Sequence, residues 1–148
     1  MKDDKYYLEQ AYLEAIKAEQ IDEVPIGCVI VLNYEIIARG YNQREKNKSV
    51  ISHAEIEAMK KASEKLNSWR LDNCEVYVTL EPCLMCASAL QQAHVKRIIY
   101  GAKSLKTGAL GTFFDINSLS NLNHYPLVSY LPDEKCSLII SNYFRKKR

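Results

Sequence analysis

No apolar run in the sequence approaches the roughly 20 residues that a membrane-crossing helix needs, so no membrane span is expected. Charge of one sign is also lacking: 20 basic and 18 acidic residues leave a net charge of +2. A balance that close neither demands nor excludes a nucleic-acid partner; only a local basic patch argues for one. The opening residues, Met1-Lys2-Asp3-Asp4-Lys5, run straight into mixed polar and apolar sequence and are read as carrying no secretory signal. Cysteine does not come in the even number of a disulfide framework. There are five, two of them in a Cys-x-x-Cys pair, and without a secretory signal this points to metal or redox chemistry in a reducing cytoplasm. No internal repeat, linker or low-complexity stretch interrupts the chain. Residues 1–148 are therefore expected to form one domain, long enough to bury its own core.

What is present reads as alternating elements. Tyr7, Leu8, Ala11, Tyr12, Ala15 and Ile16 recur at helical spacing over 3–20, with Asp3 and Asp4 suited to a helix start. A β-rich run over 24–32, a hairpin turn at Asn33-Tyr34 and a second strand over 35–41 follow, then a polar loop over 42–50. A helix is expected over 53–66 with Ile56, Met59, Ala62 and Leu66 inward, then a strand over 74–80. Pro82 suits the first position of a helix over 82–93, ahead of a strand over 97–100 and a Gly-bearing loop over 101–111. The stretch 112–130 is irregular, with room for one short helix and one short strand. A last helix over 132–147 places Leu138, Ile139, Tyr143 and Phe144 on its apolar side. Strands alternating with helices imply a sheet covered on both faces, an α/β protein with three α/β/α layers.

The chemistry gathers at two predicted helix starts, His53-Ala54-Glu55 and Pro82-Cys83-Leu84-Met85-Cys86. Cysteines three apart on a helix share a face, so both sulfurs can meet one ion. A helix N-terminus favours negative charge and prepares the thiolates that a metal requires. His53 adds a neutral imidazole, and three Cys/His ligands leave the fourth tetrahedral position of a zinc ion open to water, as in catalytic sites. Such an ion brings the pKa of water towards neutrality, and Glu55, two residues from His53, is placed to move the proton. Taken singly, each part has an ordinary explanation. Ser52-His53-Ala54-Glu55 matches a helix capping box, Cys83 and Cys86 match a thiol redox pair, and His53 alone suits a structural histidine. A redox pair needs no His-x-Glu, and a capping box needs no distant cysteines. Cys28, Cys74 and Cys136 read as small buried hydrophobes.

His-x-Glu with Pro-Cys-x-x-Cys is the signature of the zinc-dependent cytidine deaminase-like superfamily, which the chain resembles at these residues. Val24-Pro25-Ile26-Gly27, Tyr41-Asn42, the run from Tyr77 to Cys86, Gly108-Ala109-Leu110-Gly111, Asn123-His124 and Asn142-Tyr143-Phe144-Arg145 look like the bacterial tRNA-specific adenosine deaminases. The resemblance covers nearly the whole chain. It implies a central mixed sheet and a zinc ion, one per subunit, held by His53, Cys83 and Cys86. Glu55 would be the proton shuttle and Asn42 would contact the target nucleoside. The implied reaction is hydrolytic deamination of adenosine to inosine at the wobble position of a tRNA anticodon stem-loop, by a cytoplasmic homodimer. Where the family usually has an acidic residue before Lys-Thr-Gly, this chain has Ser104 in Lys103-Ser104-Leu105-Lys106. Two rival functions stand beside this one: a deaminase of a free base or nucleotide, of guanine or cytidine type, and a non-catalytic zinc-binding RNA module. Candidate RNA surfaces are the 42–48 loop, the 103–106 loop and the tail Arg145-Lys146-Lys147-Arg148, with Tyr143 or Phe144 to stack on a base.

Overall fold

The fold is described from a computed structural model over residues 1–147; Arg148, the last cation of the basic tail, lies outside the described residues. The elements are α1 (Asp4–Gln20), β1 (Gly27–Leu32), β2 (Glu35–Tyr41), α2 (Arg44–Asn47), α3 (Ala54–Leu66), β3 (Glu75–Val78), α4 (Leu84–Gln92), β4 (Arg97–Tyr100), β5 (Leu127–Tyr130) and α5 (Glu134–Lys146). A single 3-10 turn at Ile116–Ser118 precedes β5. The sheet order is β2-β1-β3-β4-β5. β1 pairs antiparallel with both β2 and β3, while β3–β4 and β4–β5 are parallel, so the sheet is mixed as expected.

Side chains that alternate along each strand build the two outer layers. Cys28, Ile30, Val76, Val78, Ile98 and Tyr100 point to one face, where they meet Ala54, Ala58 and Ala62 of α3 and Ala87 and Leu90 of α4. Val29, Val31, Tyr77 and Ile99 point to the other, against Tyr7, Leu8 and Ala11 of α1 and Cys136 of α5. Small residues let helix and sheet approach closely. A Cβ on Gly40 would lie 2.5 Å from the Ala54 carbonyl oxygen and the Ala58 nitrogen, so no larger side chain fits between β2 and α3. Asp3 caps α1 by accepting the Tyr6 N–H, and Asp133 caps α5 by accepting the Lys135 N–H. In the β1–β2 hairpin Asn33 and Tyr34 have φ of 51° and 67°, the paired positive values of a type I′ turn.

Several boundaries move from the expected ones. The polar loop after β2 contains the short helix α2, because the Glu23 carboxylate accepts the N–H groups of Glu45 and Lys46 at its start. Val24 and Pro25 precede β1 rather than opening it, and Pro82 lies two residues before α4 rather than at its first turn. The inward face of α3 is the Ala54–Ala58–Ala62 stripe; Ile56 lies outside that cluster, and Met59 and Leu66 pack at its margin. On α5, Cys136 and Ile139 are buried, but Leu138 and Phe144 are each 46% exposed. Cys28, Cys74 and Cys136 are buried free thiols, as read from the sequence. Burial pushes Cys74 up to about 11 and Cys136 up to about 12, which keeps both as inert thiols. Among the described residues no helix is long and apolar enough to cross a membrane.

Candidate functional site

The N-termini of α3 and α4 lie side by side on one face of the sheet, beyond the carboxyl end of β3. His53 is the N-cap residue of α3 and Cys83 that of α4, and neither side chain caps its own helix. Ser52 does not cap α3 either; its hydroxyl accepts from Asn47 Nδ2 at 3.2 Å. The capping box that would have made Glu55 a mere helix starter is therefore not formed. With the caps released from local duty, His53 Nδ1 sits 3.4 Å from Cys86 Sγ and 3.7 Å from Cys83 Sγ. All three donor atoms lie within 4.8 Å of one another, the one such metal-binding cluster among the described residues. Ligand bonds of about 2.3 Å to sulfur and 2.0 Å to nitrogen at tetrahedral angles separate N from S by about 3.5 Å. The donor set and its spacing thus fit one zinc ion.

The electrostatics fit as well. Cys83 is held down to about 4, first by a hydrogen bond from the Cys86 thiol and then by one from the His53 ring. Cys86, which gives that hydrogen bond and is buried beside it, is pushed up. His53 is raised, chiefly by its hydrogen bond to Cys83. Cys83 is thus a thiolate at neutral pH beside the His53 ring, and Cys86 keeps its proton until a cation displaces it. Burial pushes the Glu55 carboxyl up to about 7. A dication bound alongside opposes that shift.

These residues open onto a cavity of about 540 Å³ lined by His53, Glu55, Cys83 and Asn42, within the roughly 300–1,000 Å³ of small-molecule sites. Asn42 is buried; its Nδ2 donates to the Val24 carbonyl at 3.3 Å, while Oδ1 has no partner in the protein. An orphaned acceptor costs about 1–3 kcal/mol when left unpaired. An acceptor so placed is open to a ligand that donates to it. All five residues singled out for the site therefore converge: His53, Cys83, Cys86, Glu55 and Asn42.

The proposed RNA surfaces sort differently. Arg44 from the 42–48 loop, residues 103–107 and Phe144 all line the mouth of the same cavity. Tyr143 does not; its hydroxyl donates to the Asp22 carbonyl and Lys147 sits 5.4 Å over its ring. Lys147 also pairs with Asp22 at 2.6 Å, and Arg145 and Lys146 border a separate depression against Tyr12 and Glu19 of α1. Of the described tail, only Phe144 faces the site. Ser104 is at the mouth, its hydroxyl 2.8 Å from that of Thr107. Asn123 and His124 lie elsewhere: Gln91 Nε2 donates to Asn123 Oδ1 and the His124 carbonyl, tying that segment to α4.

Two residues that hold the cavity wall in place escaped the sequence reading. Glu23 holds α2, and with it Arg44, through backbone N–H groups. Glu81, buried beside the cavity, accepts from three N–H groups of the loop after β4. A charged residue wedged between the apolar end of β3 and Pro82-Cys83 was the available signal for Glu81. A carboxylate at that place must find donors or metal.

Similarity to known proteins follows the same residues. The sequence model of the family described as cytidine and deoxycytidylate deaminase zinc-binding region matches residues 1–102. The tRNA-specific adenosine deaminase of Bacillus subtilis (strain 168) is 42% identical over 149 aligned residues, spanning 100% of this chain and 92% of that one. A structure solved in work on A-to-I editing by tRNA:A34 deaminases at the wobble position of transfer RNA superposes with a TM-score of 0.83. It is 40% identical, covering 86% of this chain and 98% of its own. The guanine deaminase of Bacillus subtilis superposes with a TM-score of 0.66 at 25% identity, over 81% of this chain and 87% of that one.

Proposed function

The chain belongs to the cytidine and deoxycytidylate deaminase zinc-binding family, and on that premise we propose that it deaminates adenosine at the wobble position of a tRNA anticodon stem-loop. Water replaces the C6 amino group, so adenosine and water become inosine and ammonia. The observation that carries the reading is the single cavity in which the His53–Cys83–Cys86 cluster, Glu55 and the unpaired Asn42 oxygen meet. His53, Cys83 and Cys86 hold one zinc ion per subunit. When bound, zinc supplies a Lewis acid that makes water nucleophilic at neutral pH.

The protein's own groups do the rest. Glu55 takes a proton from the attacking water and delivers one to the departing nitrogen, a role suited to a buried carboxyl that lines the cavity beside the ligand cluster without belonging to it. Asn42 Oδ1 accepts a hydrogen bond from the nucleoside and orients it. The narrow, buried floor admits a base only when it is turned out of its stack. Arg44, Lys103 and Lys106 surround the mouth, where phosphates of neighbouring nucleotides would pass. Lys103 lies 5.0 Å over the Tyr130 ring, which leaves Arg44 and Lys106 as the freer of the three.

Phe144, 46% exposed at the same mouth, offers a face on which a flanking base stacks. Phe144→Ala is expected to raise KM for an anticodon stem-loop about tenfold with little change in kcat, since stacking is worth about 1–3 kcal/mol per base. Phe144→Trp should keep the wild-type KM. Inosine formation in the stem-loop, measured beside ammonia release from free guanine, cytidine and adenosine, tests the substrate class. Turnover of the free compounds alone would replace the tRNA reading with the free-base one, which the likeness to guanine deaminase supports.

We also read residues 1–148 as one deaminase domain that works as a homodimer in the cytoplasm, where thiolate ligands stay reduced. The homodimer is supported by an exposed apolar surface beside Cys83, formed by Leu84, Phe113 and Phe114. Leu84→Asp should convert a dimer to a monomer by sedimentation velocity; a wild-type monomer would overturn this.

A further inference from the structure

We propose that Glu81 is a positioning residue whose buried carboxylate clamps the 103–112 loop over the cavity, fixing the surface on which nucleotides flanking the reacting base dock. It rests on the tRNA reading for its substrate, and on the geometry of the loop for everything else.

Glu81 is 2% exposed and sits at the end of the turn from β3 to α4, two residues before Cys83. Its Oε1 accepts the Ser104 N–H at 3.2 Å, and its Oε2 accepts those of Leu110 at 2.9 Å and Thr112 at 3.2 Å. No Lys or Arg pairs with it among the described residues, so these amides compensate the buried charge, in the manner of a backbone anion nest. Gly108 closes over the carboxylate so tightly that a Cβ there would lie 2.4 Å from Glu81 Cδ. The Gly108 N–H in turn donates to the Ser104 carbonyl, and its own carbonyl accepts from Phe113 and Phe114.

The loop carries no helix or strand of its own, yet it supplies Lys103, Ser104, Leu105, Lys106 and Thr107 to the cavity mouth. Leu105 is 79% exposed, so apolar packing does not hold that tip in place. The base of the loop is anchored by Ala109 and Leu110 in the core and by the Ala109 N–H on the Pro82 carbonyl, and the bonds to Glu81 and the turn around Gly108 hold the rest to that base. Charge-assisted hydrogen bonds of this kind are about twice as strong as neutral ones. A glutamine at the same place has one oxygen for three donors and presents its NH2 to the rest.

The experiment compares Glu81→Gln, Gly108→Ala and the double variant in the zinc-loaded protein. Both single variants should raise KM for the stem-loop about tenfold or more, with kcat within about threefold and zinc content unchanged. The double variant should be no worse than the worse single one, because both break one clamp. Amides of Leu110 and Thr112 should lose hydrogen-exchange protection in each variant while those of α4 keep theirs. An unchanged KM, a kcat that falls in step with lost zinc, or additive losses would overturn the clamp. If the wild-type protein makes no inosine in the stem-loop, the substrate reading fails by itself, and amide protection alone then decides the clamp.

Discussion

Replacing Glu55 with glutamine is expected to remove turnover while leaving the zinc ion in place. The carboxyl is buried at the cavity floor and is not a member of the three-atom ligand cluster. Glutamine keeps the shape and the hydrogen-bonding reach but neither accepts nor returns a proton. General acid–base groups contribute roughly 10²–10⁴-fold, and a residue that serves both water and leaving group belongs at the upper end. Metal analysis should find stoichiometric zinc in the variant, and kcat/KM on the stem-loop should fall about 10⁴-fold. Activity within tenfold of wild type would return Glu55 to a structural role and revive the non-catalytic zinc module.

A second consequence concerns stability. Burial raises the Glu55 carboxyl from 4.5 to about 7, so the folded protein holds its proton at pH values where the unfolded chain has lost it. Stability of the chelator-treated wild-type protein therefore declines as pH rises from about 4.5 to about 7, and the full penalty is present above that. The chelator-treated Glu55→Gln protein lacks this penalty. It should be the more stable of the two at pH 8 and indistinguishable near pH 4, by urea unfolding.

The legibility of this site in the sequence has a physical basis. His53, Glu55, Cys83 and Cys86 stand out because their spacing is dictated by two helix starts, a local geometry that a linear pattern preserves. The short apolar runs of β1, β3 and β4 are equally local, and their alternation with helices along the chain implies the three layers. The elements that moved were those decided by distant partners. Helix α2 exists because Glu23, 22 and 23 residues earlier, accepts its leading N–H groups. The inward stripe of α3 is alanine rather than Ile56 because Gly40 draws β2 against it. For Phe144 the sequence leaves two readings open, a core contact by its period on α5 and a stacking face for a base, and only the position of that helix beside the cavity makes it a mouth residue. Glu81 escaped for the same reason: its donors lie 23 to 31 residues further on, in a loop without a pattern of its own.

Zinc itself should be the largest single contributor to the integrity of the site, and its affinity should climb with pH. Cys83, held near 4, is already a thiolate at neutral pH, whereas Cys86 retains its proton and His53 is raised. Binding therefore expels one proton, from Cys86, above the His53 pKa, and two below it. In competition with a chelator, the logarithm of the zinc association constant should rise with pH, with a slope of about 1 where His53 is neutral and about 2 where it is protonated. Cys86→Ser replaces a buried sulfur with a poorer ligand at the one position without solvent access, and should abolish stoichiometric zinc and activity together. An ion present at 1,000 times its Kd stabilises the fold by about 4.1 kcal/mol, so the melting temperature of the wild-type protein should fall sharply on chelation and that of Cys86→Ser hardly at all. A profile flat on the alkaline side of the His53 titration would mean that both thiols are already ionised in the folded protein, against the hydrogen bond that Cys86 gives to Cys83. A disulfide between Cys83 and Cys86 in the purified protein, with no zinc, would instead make the pair a redox centre, leaving His53 and Glu55 without a common purpose.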